Sequence, residues 1–324
     1  MEIKTKAYGN YVKTVEYKSS AKRLARIENF KKYKALYLMA IPGILYFMLF
    51  KYLPMAGLII SFQNYNVFKG FFGSEFVKFQ NYQTLFSYGD FWLILKNTLL
   101  LNFYDLVIAF PIPILLALLI NEVKNTAFKR TVQLTIYLPH FLSWSILGGI
   151  MSFQILSTQT GIVNQMIQAF GGEPIFFMTK PEYAKSIAVI IGIWKSAGWG
   201  TIIYLAAMSG INPSLYEASI IDGAGKLKQM FYITIPMIMP VVVIKLLLQI
   251  GHFMDFGFER IWVIMNGANR GALDIIDTYM YKTGLLEGRF SYATAISVFK
   301  ATVGLILILS ANSFSKKTTG ESLF

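Results

Sequence analysis

The chain has 324 residues, 55% apolar and only 15% charged, with a mean hydropathy of +0.51. Soluble chains carry about 25% charged residues, so this composition excludes an ordinary water-facing domain and makes lipid the solvent. The 30 Lys+Arg against 17 Asp+Glu leave a net charge of +13 to be explained, while zero cysteines and two histidines, His140 and His252, exclude disulfides, thiolate chemistry and a Cys- or His-based metal site.

Residues 1–34 are basic, with ten Lys+Arg. Within them, 20–33 set Leu24, Ile27, Phe30 and Tyr33 at helical spacing among cations. That pattern reads as an interfacial amphipathic helix, the alternative being a disordered basic arm. Runs of about 20 apolar residues, enough to cross the hydrocarbon at 1.5 Å per residue, then follow at 35–61, 91–120, 132–156, 186–208, 232–250 and 292–310. The first is expected to stay as a membrane helix rather than be a cleaved leader, being too long for a leader's apolar core and lacking a small-residue cleavage site. Prolines inside the runs (Pro42, Pro54, Pro111, Pro113, Pro139, Pro236, Pro240) are tolerated in packed membrane helices far better than in soluble ones.

Orientation follows from the connecting segments. Residues 1–34, 121–131, 209–231 and 315–324 together hold 17 Lys+Arg, whereas 62–90, 157–184 and 251–291 hold seven, with nine acidic residues among them. By the positive-inside rule both termini are expected in the cytoplasm. The predicted fold class is therefore an all-α membrane protein of six transmembrane helices. The net charge is mostly a topology signal, and no nucleic-acid partner is expected.

Polar residues inside the spans cost about 2.5 to 3.5 kcal/mol each at mid-bilayer and so point to structure or function. They are Lys96, Asn102 and Asp105 in the second span, Trp194 and Lys195 in the fourth, Lys245 and Gln249 in the fifth, and Lys300 in the sixth. Lys51, Lys96 and Lys300 are long enough to snorkel to water. Asp105 is not, and a partner is expected for it, Lys96 or a lysine of another span. Broken repeat-related half-helices, which would suggest a secondary transporter, are not found. Neither are the HExxH and GxSxG signatures of an intramembrane hydrolase.

The segment from Ile211 to Pro240 carries the strongest pattern. Asn212 or Ser214 can cap a short helix through Glu217, Ala218 and Ser219; Asp222 and Gly223 end it, and a second helix starts near Gly225. The order Glu217-Ala218-Ser219, Asp222-Gly223-Ala224, then Phe231, Ile233, Pro236 and Pro240 closely resembles the EAA motif of binding-protein-dependent ABC import permeases. Ser219 departs from the second alanine usual there. Further stretches at 103–121, 137–144, 193–199 and 312–324 are similar to the LplB-type branch of the carbohydrate permeases, so the resemblance covers roughly residues 30–324.

This resemblance implies the MetI-like fold of type I importers: a basic N-terminal segment at 1–34, one extra span at 35–61, a five-helix core at 91–314 with its coupling loop at 211–236, and a tail at 315–324. It also implies a bacterial cytoplasmic-membrane location and import of oligosaccharides or polysaccharide fragments. Implied partners are a second permease subunit, usually a different chain, two copies of an ATPase subunit and an extracellular solute-binding protein or lipoprotein. Glu217, Ala218, Ser219, Asp222, Gly223 and Ala224 would meet the ATPase. ATP and Mg belong at that partner, since this chain lacks a GxxxxGK[ST] loop; no cofactor, metal or enzymatic activity is expected on it. Sugar sites combine aromatic faces with hydrogen-bonding groups, which makes Trp194, Gln249, Phe258, Arg260, Trp262 and Asn266 the substrate-pathway candidates. Arg260, Arg270, Lys282 and Arg289 raise a uronate-containing substrate, against which stand the five acidic residues nearby. The alternatives are an ABC permease for a non-sugar solute, a non-ABC transporter or channel, and a membrane scaffold.

Overall fold

Hydrocarbon offers the backbone no hydrogen-bond partner, so apolar runs must satisfy their amides within helices. The structure, a computed structural model, describes residues 32–318 with Gly320 and Ser322, and these are mostly helical. All but the last two residues of the interfacial helix expected at 20–33 lie outside the described residues, as does part of the tail. The chain divides into two units between Ile59 and Ile60.

Helix α1, Lys34–Phe62, is the first candidate span, and its large apolar side chains, Leu38 and Met39 among them, are exposed. A two-stranded antiparallel hairpin follows, β1 (Gln63–Asn64) on β2 (Glu75–Phe76), with Gln63 opposite Phe76. Next come α2 (Gln80–Ser87) and the long α3 (Gly89–Glu122), then α4 (Thr126–Phe141), α5 (Trp144–Ile155) and the short α6 (Ile162–Ala169). The remaining spans are α7 (Pro181–Ser209), α9 (Lys226–Gly251) and α12 (Phe290–Thr318). The short α8 (Pro213–Ile221) lies between α7 and α9, and α10 (Phe258–Trp262) and α11 (Ile276–Tyr281) lie between α9 and α12.

Three of the prolines are accommodated by one recurring device. Helical turns at Met48–Tyr52, Asp105–Ala109 and Met230–Thr234 are widened, their closing amides, on Leu53, Phe110 and Ile235, donating five residues back to Met48, Asp105 and Met230. In each case the next residue is proline: Pro54, Pro111 and Pro236. A proline ring collides with the carbonyl four residues earlier. Widening the turn that holds this carbonyl relieves the collision while the helix continues.

The third apolar run, read as one membrane span at 132–156, is divided between two helices. Helices α4 and α5 meet at 102°: the last turn of α4, Leu138–Phe141, tightens at Pro139, Leu142 and Ser143 are extended, and the Ser143 hydroxyl caps α5 by accepting from the Ile146 amide at 3.3 Å. The carbonyls freed at the bend need a donor. Lys195 of α7 supplies it, donating to His140 O at 3.0 Å and to Leu142 O, with its ammonium 5.2 Å from the Trp144 ring centre. His140 stacks flat on Trp199, centroids 4.4 Å apart. Lys195 thus caps the break between α4 and α5.

Helix α7 is the hub of the core. Its Ile187, Ala188, Val189 and Ile191 share one buried cluster with Leu101 of α3, Leu147 of α5 and Ile261 of α10. Near its far end, Tyr204 and Met208 pack with Ala117 of α3 and Ile238 of α9. Close approach requires glycine at two points: a Cβ at Gly198 would lie 1.9 Å from the Ile136 carbonyl oxygen, and one at Gly192 would lie 2.1 Å from a guanidinium nitrogen of Arg260.

Candidate functional site

Two regions of the core carry polar chemistry, one at each end of α9, whose 26 residues span about 39 Å at 1.5 Å per residue. At its N-terminal end lies α8. Asn212 caps it by accepting from the Ser214 amide at 3.1 Å, and Pro213 fills the first helical position, where no amide is required. The helix closes as its residue pattern predicts. Gly223 takes φ +76°, and the amides of Asp222, Gly223 and Ala224 return to the carbonyls of Ala218, Ile220 and Ser219.

Glu217, Ala218, Asp222 and Gly223 are exposed, together with Leu215, Ile220, Ile221, Leu227, Phe231 and Tyr232. An acidic residue and small residues thus sit among large apolar ones on a helix that packs little of itself away. Ala224 is half-buried. Ser219 is tied down: its hydroxyl donates to Tyr216 O at 2.7 Å and accepts from the Gln229 side-chain amide at 2.9 Å. Tyr216 and Thr234 bring their hydroxyls to 2.9 Å. Lys226 pairs with Glu122 at 3.1 Å, an exposed ion pair that contributes little.

The other region holds the predicted substrate contacts and separates them. Phe258 and Trp262 stack at 5.1 Å, and Tyr281 closes a three-ring cluster at 4.8 and 5.0 Å. Phe258 and Tyr281 open onto a cavity of about 470 Å³, where Asp277, Phe290, Thr294 and Ser297 also stand. Arg260 is not part of it. Only 6% exposed, it forms a bidentate pair with Asp105 at 2.6 and 2.9 Å, donates to Ala188 O at 2.8 Å and lies 4.1 Å from the Phe256 ring centre. Asp105 therefore finds an arginine 155 residues away instead of a lysine, at the widened turn of α3, and Gly192 leaves room for the guanidinium.

Asn266 organises a loop: its side-chain amide donates to Met178 O at 2.7 Å and its carbonyl oxygen accepts from the Ala268 and Asn269 amides. Trp194 lines a separate, wholly apolar cavity of about 430 Å³ with Met151, Val163 and Phe177. Gln249 and Lys245 are half-buried on α9. The expected set thus resolves into one aromatic cluster, one buried ion pair, one loop clasp and one core tryptophan. Position within a span could not separate these roles, because each depends on which distant element faces the side chain.

Lys300 corrects a further expectation. It does not snorkel: its ammonium contacts Asp277 and lies 3.5 Å from Asp255, with 18% of its side chain exposed. Burial pushes the Asp277 carboxyl up from the ordinary carboxylate range, the lysine opposing and Asp255 reinforcing the rise. Lys282 joins Asp274, whose other oxygen accepts from Thr278. Asn97 and Thr98 of α3, which the sequence reading missed, pin this segment by bonds to Gly271 O, Asp274 O and the Ile276 amide. Of the basic residues behind the uronate idea, Arg260 and Lys282 are therefore neutralised by partners, and Arg270 lies 3.4 Å from Asp274. Among the described residues no group of three His, Asp or Glu side chains is placed to hold a metal ion.

Comparison with known proteins agrees with this geometry. Residues 97–320 match the family described as binding-protein-dependent transport system inner membrane component. The chain is 49% identical, over 90% of its length and 90% of the relative's, to the polygalacturonan/rhamnogalacturonan transport system permease protein YteP of Bacillus subtilis (strain 168). It is 43% identical to protein LplB of the same organism, covering 94% of this chain and 96% of that one. Among solved structures, a chain of a bacterial alginate ABC transporter, crystallised with an alginate pentasaccharide-bound periplasmic protein, superposes with a TM-score of 0.84 at 38% identity, covering 91% of this chain and 99% of that one. The chain belongs to the binding-protein-dependent transport system inner membrane component family and is a multi-pass permease subunit of the ABC importer class.

Proposed function

We propose that this chain is one of two permease subunits of an ATP-driven importer of acidic oligosaccharides, the fragments of uronate-containing polysaccharides. The observation that carries the permease reading is α8, a capped, exposed helix bearing Glu217, Ala218 and Asp222 between two spans. Alginate and polygalacturonan, named for its relatives, are polymers of sugar acids, and this supports the substrate class.

In this reading α8 lies in the cytoplasm, as do both termini, because the basic segments flank that side. It seats on one of two ATPase subunits, which bind ATP and Mg and hydrolyse it. Their closure moves α8, and α9 carries the movement into the membrane. An extracellular binding protein or lipoprotein delivers the saccharide on the opposite side of a bacterial cytoplasmic membrane.

The test is ATPase stimulation and uptake in proteoliposomes holding the whole assembly with its binding protein, challenged with galacturonate, mannuronate and neutral oligosaccharides and with amino acids. Acidic oligomers are expected to stimulate at least tenfold more than neutral ones. An equal response would remove the acidic substrate, and a response to amino acids alone would remove the saccharide.

A further inference from the structure

A coupling helix transmits force only as stiffly as it is joined to the span that follows. The joint here runs through Asp222, Gly223, Ala224 and Gly225, the last of which is also a glycine. By itself such a linker is a hinge, since glycine restricts the backbone least. Two side-chain bridges cross it. One joins Ser219 of α8 to Gln229 in the first turn of α9; the other joins Tyr216 to Thr234 one turn further on.

The first bridge has a fixed sense. The single Ser219 proton is directed to Tyr216 O at 2.7 Å, so toward Gln229 the oxygen can only accept, and the glutamine must present its NH2. Gln229 is 3% exposed, and its own carbonyl oxygen is buried with no hydrogen-bond partner. An apolar residue would fill the same space without stranding that oxygen. The polar residue therefore suits a positional role better than one in packing.

Both bridges make use of the widened turn between them. Gln229 and Thr234 are five residues apart and would stand about 140° apart around a regular α-helix of about 100° per residue. The turn at Met230–Thr234 closes with five-residue spacing, and the side chains of Gln229 and Thr234 both reach α8. The proline at 236 requires the widening; the bracket uses it.

We propose that Ser219 and Gln229 are positioning residues that lock the coupling helix to the fifth span, so that α8 and the start of α9 move as one rigid body when the ATPase closes. Ser219, the residue that departs from the EAA pattern, is the acceptor on which the lock depends. The proposal rests on the assignment of α8 to the ATPase contact. With Ser219 replaced by alanine, the linker glycines become a compliant joint, and ATPase movement is lost in bending instead of reaching the membrane.

The test uses the full reconstituted importer and reads saccharide transported per ATP hydrolysed in wild type, Ser219→Ala, Gln229→Leu, the double variant and Ser219→Thr. The ratio is expected to fall about fivefold to tenfold in each single variant and no further in the double. Threonine, which keeps the hydroxyl, should retain at least half of the wild-type ratio. Co-purification of the ATPase subunits with Gln229→Leu, whose side chain is buried and outside the expected ATPase contact, should stay at the wild-type level. Unchanged ratios, additive losses in the double variant or loss of the ATPase from the Gln229→Leu complex would each overturn the lock. A wild-type assembly that couples ATP to no saccharide would instead overturn the function on which it rests.

Discussion

The two ends of α9 are built in opposite ways. At its N-terminal end the polar contacts are local: Ser219 to Gln229 and Tyr216 to Thr234 span 10 and 18 residues, and the surface proposed to meet the ATPase remains exposed. At its C-terminal end they are distant: Arg260 to Asp105 spans 155 residues and Lys300 to Asp277 spans 23, both largely buried. A surface that must meet another subunit leaves its charges in water. A segment that must hold several spans together pairs its charges with one another, because an unpaired charge there would pay a desolvation penalty.

Breaking the distant end should therefore cost stability, and breaking the local end should cost function. The largest effect is expected from Arg260→Met. It leaves the Asp105 carboxylate buried without its partner, a loss of about 3 to 5 kcal/mol, visible as collapsed yield and melting temperature of the detergent-purified complex. Combining it with Asp105→Leu should recover most of that loss. A single variant as stable as wild type would show that the pair does not hold the spans.

Gly198→Ala comes next, with an expected cost of about 1 to 3 kcal/mol from overpacking against the Ile136 carbonyl, read as a lower melting temperature. A neutral alanine would place the α4–α7 contact further apart than described.

Lys300→Met should show a pH-dependent deficit. Its removal leaves Asp277 with the burial that already pushes its carboxyl up and without the lysine that opposes this. A raised folded-state pKa contributes stability below the unfolded value of about 3.9, and that contribution is lost as pH rises through the folded value. The deficit relative to wild type should thus be smallest near pH 4 and grow toward neutrality. A deficit that grows on acidification would exclude the lysine–carboxylate pairing.

Glu217→Ala should have the smallest effect on stability, within about 0.5 kcal/mol as at other exposed sites. It should nevertheless lower uptake and ATPase recruitment several-fold, measured by transport in proteoliposomes and by co-purification. Normal transport would move the ATPase contact off α8.

The same contrast explains what could be read from sequence. The α8 region was legible because cap, helix, left-handed glycine and following proline are consecutive residues whose conformations follow from their own chemistry, and the geometry at Asn212 and Gly223 matches. The aromatic pair Phe258 and Trp262 was legible for the same reason, being four apart on one helical face. Arg260, on the opposite face of that short helix, reads from sequence as a pathway residue, because nothing local distinguishes an arginine facing a cavity from one facing Asp105. Ser219 and Gln229 were invisible as a pair. A serine reads as a tolerated small residue until the buried amide opposite it is known.

By itself the sequence determined the solvent, the number of apolar runs, the charge asymmetry between alternate connections and the motif of α8, since each depends on composition or on near neighbours along the chain. Tertiary structure alone decided that the third run breaks at 102° under a lysine cap, that Asp105 belongs to Arg260 and that Lys300 is held among carboxylates. A charge in a low-dielectric interior is satisfied by whichever opposite charge the packing of helices brings within reach, and sequence distance carries no information about that choice.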